Sequence, residues 1–95
     1  MLGVIATLRI KPGTNKEFEQ AMGKLQEAVR ANEPGNKLYV LHRTEDPTVY
    51  VMLERYENQA AIEAHRASAH FKDLGGKLGP YMAGRPEVKV MEEVS

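Results

Sequence analysis

The chain contains no cysteine and no tryptophan. Without a thiol it can build no disulfide, iron–sulfur cluster, thiolate zinc site or cysteine nucleophile. Redox chemistry therefore places no demand on its compartment. Apolar runs are also short, and none approaches the roughly 18 residues that mark a membrane-spanning helix. The opening Met1-Leu2-Gly3 runs directly into a strand-like pattern, without the basic segment and apolar core of a signal peptide. A cytoplasmic protein without a membrane partner is the expectation. Neither charge sign is in excess: thirteen Lys and Arg face thirteen Asp and Glu. Nucleic acid is therefore not an expected partner, because phosphate backbones demand a basic footprint. Near-zero net charge leaves little repulsion between copies, which permits self-association. The 95 residues suffice for one domain, residues 1–95, burying roughly 60–65% of the surface of the unfolded chain.

What the chain does contain is periodic. In "LGVIATLRI" (Leu2 to Ile10), Leu2, Val4, Ala6, Leu8 and Ile10 share one face at the two-residue spacing of a strand, with Ile5 and Thr7 on the other. Lys11-Pro12-Gly13 breaks it, and Thr14-Asn15-Lys16-Glu17 has the pattern of a capping box, which predicts a helix starting at Thr14. Phe18, Ala21, Met22, Leu25, Ala28 and Val29 then follow helical spacing, and Asn32 to Asn36 supply turn formers. Two strands, "KLYVLHRT" and "TVYVMLERY", follow as a hairpin around Glu45-Asp46-Pro47. Asn58 can cap a second helical region reaching about Met82, with Gly75-Gly76 and Gly79-Pro80 predicting a break into two shorter helices. "EVKVMEEV" is a final strand. The order βαββαβ matches the α+β ferredoxin-like fold, a four-stranded antiparallel sheet with helices on one face. Ile5, Tyr39 and Tyr50 are then expected on the uncovered face, and a face so apolar predicts a homodimer with the two sheets opposed.

Several residue groups suggest chemistry. On a continuous helix, Ser68 and His70 would lie about 200° apart, so Ser68, His70 and Asp73 do not form a triad there. His65 and His70 are five residues apart, not the four of a helical metal pair, and no third ligand is clustered with them in sequence. No metal is expected. Gly75-Gly76-Lys77-Leu78-Gly79 superficially resembles a phosphate loop, but it follows no strand and reads as helix termination. Glu92-Glu93 reads as a solvated end. Glu54 interrupts an apolar strand on the face of Tyr50, Met52 and Tyr56. A half-buried carboxylate needs a partner, which Arg9 or Arg43 could supply, either as an interface ion pair or in a binding site. His65 follows Ala61 and Ile62 by one turn, where an imidazole is either a satisfied core side chain or a general base. His42 carries no assignment.

The segment "LERYENQAAIEAHRASAHF" (Leu53 to Phe71) resembles the signature of the antibiotic biosynthesis monooxygenase family. The matching positions are Glu54, Tyr56, Ala60, Ala61, His65, Ser68, His70 and Phe71, and the likeness extends to Glu33-Pro34-Gly35, the hairpin and the last strand. The resemblance implies a dimeric α/β barrel and a quinol monooxygenase-like activity that uses O₂ without flavin, haem or metal cofactor. His65 would be the catalytic base. Tyr56, Phe71 and Met82 would shape an aromatic pocket, and Glu54, His70 and Arg9 would contribute to substrate binding. Haem-degrading relatives carry an Asn near the end of the first strand and a Trp; here Thr7 and Arg9 occupy that region and Trp is missing. Other similar proteins are isomerases of phosphorylated signalling sugars, which would require Arg9, Arg43 and Arg66 to converge on one pocket. A ligand-binding dimer without catalysis is the third reading.

Overall fold

The computed structural model describes residues 1–94. Strand β1 (Leu2–Arg9), helix α1 (Asn15–Asn32), strands β2 (Asn36–Arg43) and β3 (Val49–Tyr56), helices α2 (Gln59–Ala67) and α3 (Ala69–Gly76), a single 3₁₀ turn (Gly79–Tyr81) and strand β4 (Glu87–Glu92) follow in that order. The sheet is antiparallel throughout, in the order β2-β3-β1-β4, and the helices lie on one face. This is the ferredoxin-like α+β architecture. No helix among the described residues is long and apolar enough to cross a membrane.

Register decides which side chains meet the helices. Leu8, Ala6 and Val4 pair with Tyr50, Met52 and Glu54, and Tyr39 pairs with Glu54 across β2–β3. Cross-strand partners point to the same side. Phe18, Met22, Leu25 and Val29 of α1 pack onto that side, all at most 3% exposed. Each such burial contributes roughly 1.5–3 kcal/mol. Tyr39 and Tyr50 therefore belong to the helix-covered core and not to the open face expected for them. Ile5 is on the open face, with Val40, Val51 and Leu53. The helices stop short of the edge strand: Val88 and Val90 point to the helix side yet remain 52% and 43% exposed.

Two helix boundaries differ from expectation. Thr14 precedes α1 but makes no side-chain cap, because its Oγ1 donates to the Lys11 carbonyl at 2.7 Å instead. The second helical region breaks at Ser68, ahead of the glycines. Ser68 is extended (ψ 147°), and its hydroxyl accepts from the Phe71 amide to start α3. That break puts Ser68 and His70 within reach, with Ser68 Oγ 3.2 Å from His70 Nε2, which no continuous helix would allow. Asn58 caps α2 as expected, accepting from the Ala61 amide at 2.9 Å.

Candidate active site

A cavity of about 430 Å³ lies between the sheet and the helices, within the roughly 300–1,000 Å³ of small-molecule sites. Its wall is largely apolar, including Val4, Leu25, Met52, Ile62, Phe71 and Met82. Its polar lining comes from Tyr39, Glu54, Tyr56, His65, Arg66 and Lys72.

His65 is buried in this wall, 5% exposed. Its ring is surrounded by Phe71, Tyr39 and Tyr56, with centroids 4.5, 5.3 and 5.6 Å away. Nδ1 lies 3.0 and 2.9 Å from the two carboxylate oxygens of Glu33. A carboxylate only accepts, so Nδ1 carries a ring proton, and in the neutral imidazole the Nε2 lone pair is then left free. Among the described residues no protein group bonds Nε2, and no buried side-chain nitrogen or oxygen lacks a partner. Nε2 is therefore open to the cavity. This carboxylate–imidazole pair has the logic of a base held in one tautomer.

Glu33 is the member of this cluster that sequence reasoning did not place in the site. It caps the C-terminus of α1 and stands 32 residues from His65. Its Oε2 also meets Nε2 of His70, so one buried carboxylate joins two imidazoles. His70 faces Glu33 and Ser68 and is not part of the cavity wall. A third group of metal-ligating type, absent locally in sequence, thus comes beside the two histidines from a distant element.

Glu54 finds its partner on its own strand. Tyr56 Oη donates to Glu54 Oε1 at 2.6 Å, two residues along β3 on the same side. Burial pushes the Glu54 carboxyl up to about 7, against the pull of the Tyr56 hydrogen bond and the Arg66 charge. Burial, reinforced by Glu54, also raises the Tyr56 phenol, and burial raises that of Tyr39. Both phenols stay protonated at neutral pH. Neither expected arginine reaches Glu54: Arg9 pairs with Glu87 on the opposite side of the sheet, and Arg43 pairs with Glu19. Arg9 is outside the cavity, and of Arg9, Arg43 and Arg66 only Arg66 lines it.

This site arrangement occurs in a fold with close relatives. The chain is similar to the YcnE protein of Bacillus subtilis (strain 168), 27% identical over 95 residues, all of this chain and 99% of that one. Rv0793 of Mycobacterium tuberculosis is 26% identical over 90 residues, 95% and 88% of the two chains. Both are named as monooxygenases only provisionally. A crystal structure of a chain from Caulobacter crescentus CB15 superposes with a TM-score of 0.95 at 38% identity, covering 99% of this chain and 90% of that one. The sequence model for antibiotic biosynthesis monooxygenases matches residues 1–75, a span that holds Glu33, Glu54, His65 and His70. The chain belongs to the antibiotic biosynthesis monooxygenase family.

Proposed function

We propose that this protein is a cofactor-independent monooxygenase that oxidises a small quinol-like aromatic with O₂, with His65 as its catalytic base. The observation that carries this reading is His65 itself, an imidazole in the wall of an apolar cavity, held at Nδ1 by Glu33 and without a protein partner on Nε2. The aromatic ring packs among Phe71, Met82 and Leu25, and its hydroxyl approaches Nε2. Removing that proton leaves an electron-rich phenolate able to give an electron to O₂ directly. The overall conversion balances without a reductant: a quinol loses two hydrogens and gains one oxygen, becoming a hydroxyquinone, and the second oxygen leaves as water. Tyr39 and the Tyr56–Glu54 pair supply hydrogen bonds to the substrate's oxygen atoms.

The functional unit in this reading is a homodimer of single-domain chains, with Ile5, Val40, Val51 and Leu53 of the two open sheet faces in contact. An uncovered apolar face of this kind favours an interface. A phosphosugar isomerase is disfavoured, because Arg9 and Arg43 are committed to Glu87 and Glu19 away from the cavity. A purely structural His65 would have both ring nitrogens satisfied and no cavity beside it.

The test is oxygen consumption with a panel of hydroquinones and naphthalenediols, comparing metal-free wild type and His65→Ala. Uptake above the spontaneous rate in the wild type, lost in a folded variant, supports the proposal. A panel that elicits no uptake, or a variant as active as the wild type, removes it.

A further inference from the structure

The Glu33–His65–His70 cluster does more than orient the His65 ring. His65 Nδ1, His70 Nε2 and a Glu33 oxygen lie within 4.8 Å of one another. They come from three elements: the end of α1, α2 and α3. The three side chains are only 8%, 6% and 17% exposed, for Glu33, His65 and His70 in turn. Two imidazole nitrogens and one carboxylate oxygen are donors for a borderline transition-metal ion, whereas magnesium and calcium seek oxygen alone. We propose that Glu33, His65 and His70 form a binding site for a divalent ion of the zinc class, set behind the His65 ring and outside the cavity.

Geometry is close to what such an ion requires. Zinc binds nitrogen and oxygen at about 2.0–2.2 Å, so tetrahedral donors stand roughly 3.3 Å apart. His65 Nδ1 and Glu33 Oε2 stand 2.9 Å apart and need open only by a few tenths of an ångström, whereas the closer Glu33–His70 contact must open further, so His70 swings away from the carboxylate to admit the ion. Ser68 Oγ, 3.2 Å from His70 Nε2, or a water entering beside His70, completes four-coordination. Glu33 and His70 do not line the cavity. The ion therefore does not touch substrate, and its role is structural or regulatory.

Occupancy has a chemical consequence that rests on the proposed function. A metal on Nδ1 takes the lone pair there, so the single proton of the neutral ring moves to Nε2. The cavity-facing acceptor becomes a donor, and the base is silenced. No net proton is lost from the ring in that exchange.

Cobalt(II) is the probe, because four-coordinate Co²⁺ absorbs far more strongly in the visible than the hydrated octahedral ion. Titration of the metal-free protein is expected to give intense bands that saturate at one equivalent per chain and are displaced by Zn²⁺. Glu33→Gln and His70→Ala should each weaken binding at least about 10-fold, the loss that even outer-shell partners can cause, while Glu54→Gln in the cavity wall should bind as the wild type does. Circular dichroism establishes that each variant is folded, and His70→Gln replaces His70→Ala if the latter is not. Only the weak octahedral spectrum, or unchanged binding in a folded His70 variant, overturns the site. Zn²⁺ inhibition of oxygen uptake is read separately. A protein that binds cobalt but consumes no oxygen leaves the metal site standing and removes the oxygenase reading; one that is active and unaffected by bound Zn²⁺ removes the silencing step.

Discussion

Replacing Glu33 with Gln perturbs the proposed base, His65, without removing a group from the cavity wall. Both Glu33 oxygens face Nδ1, at 3.0 and 2.9 Å, and together they hold the ring proton there. Gln keeps one acceptor but adds an amide donor, and with that donor facing Nδ1 the ring proton moves to Nε2. A hydrogen bond to a charged group contributes about 1.5–3 kcal/mol, and each 1.4 kcal/mol is tenfold in population. The tautomer ratio thus shifts by about 10- to 100-fold. Loss of orientation adds to this, and the comparable Asp-to-Asn change in serine protease triads costs about 10⁴ in turnover. We therefore expect kcat/KM for oxygen uptake to fall by about 10²- to 10⁴-fold, mainly through kcat, since no wall group is removed. The same change weakens the His70 contact, costing about 1–3 kcal/mol. For a domain of this size that lowers Tm by roughly 4–8 °C per kcal/mol, so the assay is run well below the transition, with folding verified by circular dichroism. A folded Glu33→Gln protein whose kcat/KM stays within about twofold of wild type would refute the carboxylate–imidazole reasoning.

Other expectations follow from the same contacts. Glu54 titrates in the native state at about 7 against an ordinary 4.5, so its contribution to stability is fully present below pH ~4.5 and is lost as pH rises through about 7. The unfolding free energy of Glu54→Gln relative to wild type should therefore rise between pH 5 and pH 8, by on the order of 3 kcal/mol at most; a difference independent of pH contradicts the buried-carboxyl account. Gly35 sits where α2 crosses the β2 entry, and a Cβ there would meet the Ala61 Cβ at 2.7 Å. Gly35→Ala should destabilise by about 1–3 kcal/mol in chemical denaturation, and Ala61→Gly in the same chain should restore part of the loss. Additive effects of the two changes would refute that contact. Leu53→Lys on the open sheet face should shift the protein to monomer in analytical ultracentrifugation; an unchanged dimer places the interface elsewhere.

Strands β1 to β3 and the first helix were legible because each buries one face, and a half-buried element writes its period into the sequence; β4, exposed along most of its length, was legible from its alternation alone. Which face of the sheet the helices cover was not legible from β2 and β3 alone. Tyr39 and Tyr50 are amphipathic enough for either side, and Tyr50 is settled in the core by hydrogen bonds to Glu19 and Asn15. The break at Ser68 carried a readable signal, a serine able to cap the turn before Phe71, but Gly75-Gly76 and Gly79-Pro80 downstream are stronger helix breakers and mask it. Thr14 shows the reverse: a capping-box pattern overridden by a nearer carbonyl, that of Lys11. His65 and Glu54 stood out as polar interruptions of apolar patterns. Their partners did not. The Glu54 partner proved to be Tyr56, two residues away, because isolated pattern reading favours opposite charges over a phenol. Glu33 belonged to a recognisable turn, yet only the packing of α1 against α3 brings it to His65 and His70, and a single sequence holds no record of that distance.

The most direct test of the central claim is the tautomer of His65 in the free protein, read from long-range ¹H–¹⁵N correlations of the imidazole at neutral pH. Protonation at Nδ1, with Nε2 bare and shifting when a quinol-like ligand is added, is the predicted result. A ring protonated at Nε2 in the metal-free protein would leave the cavity without its base and contradict the account.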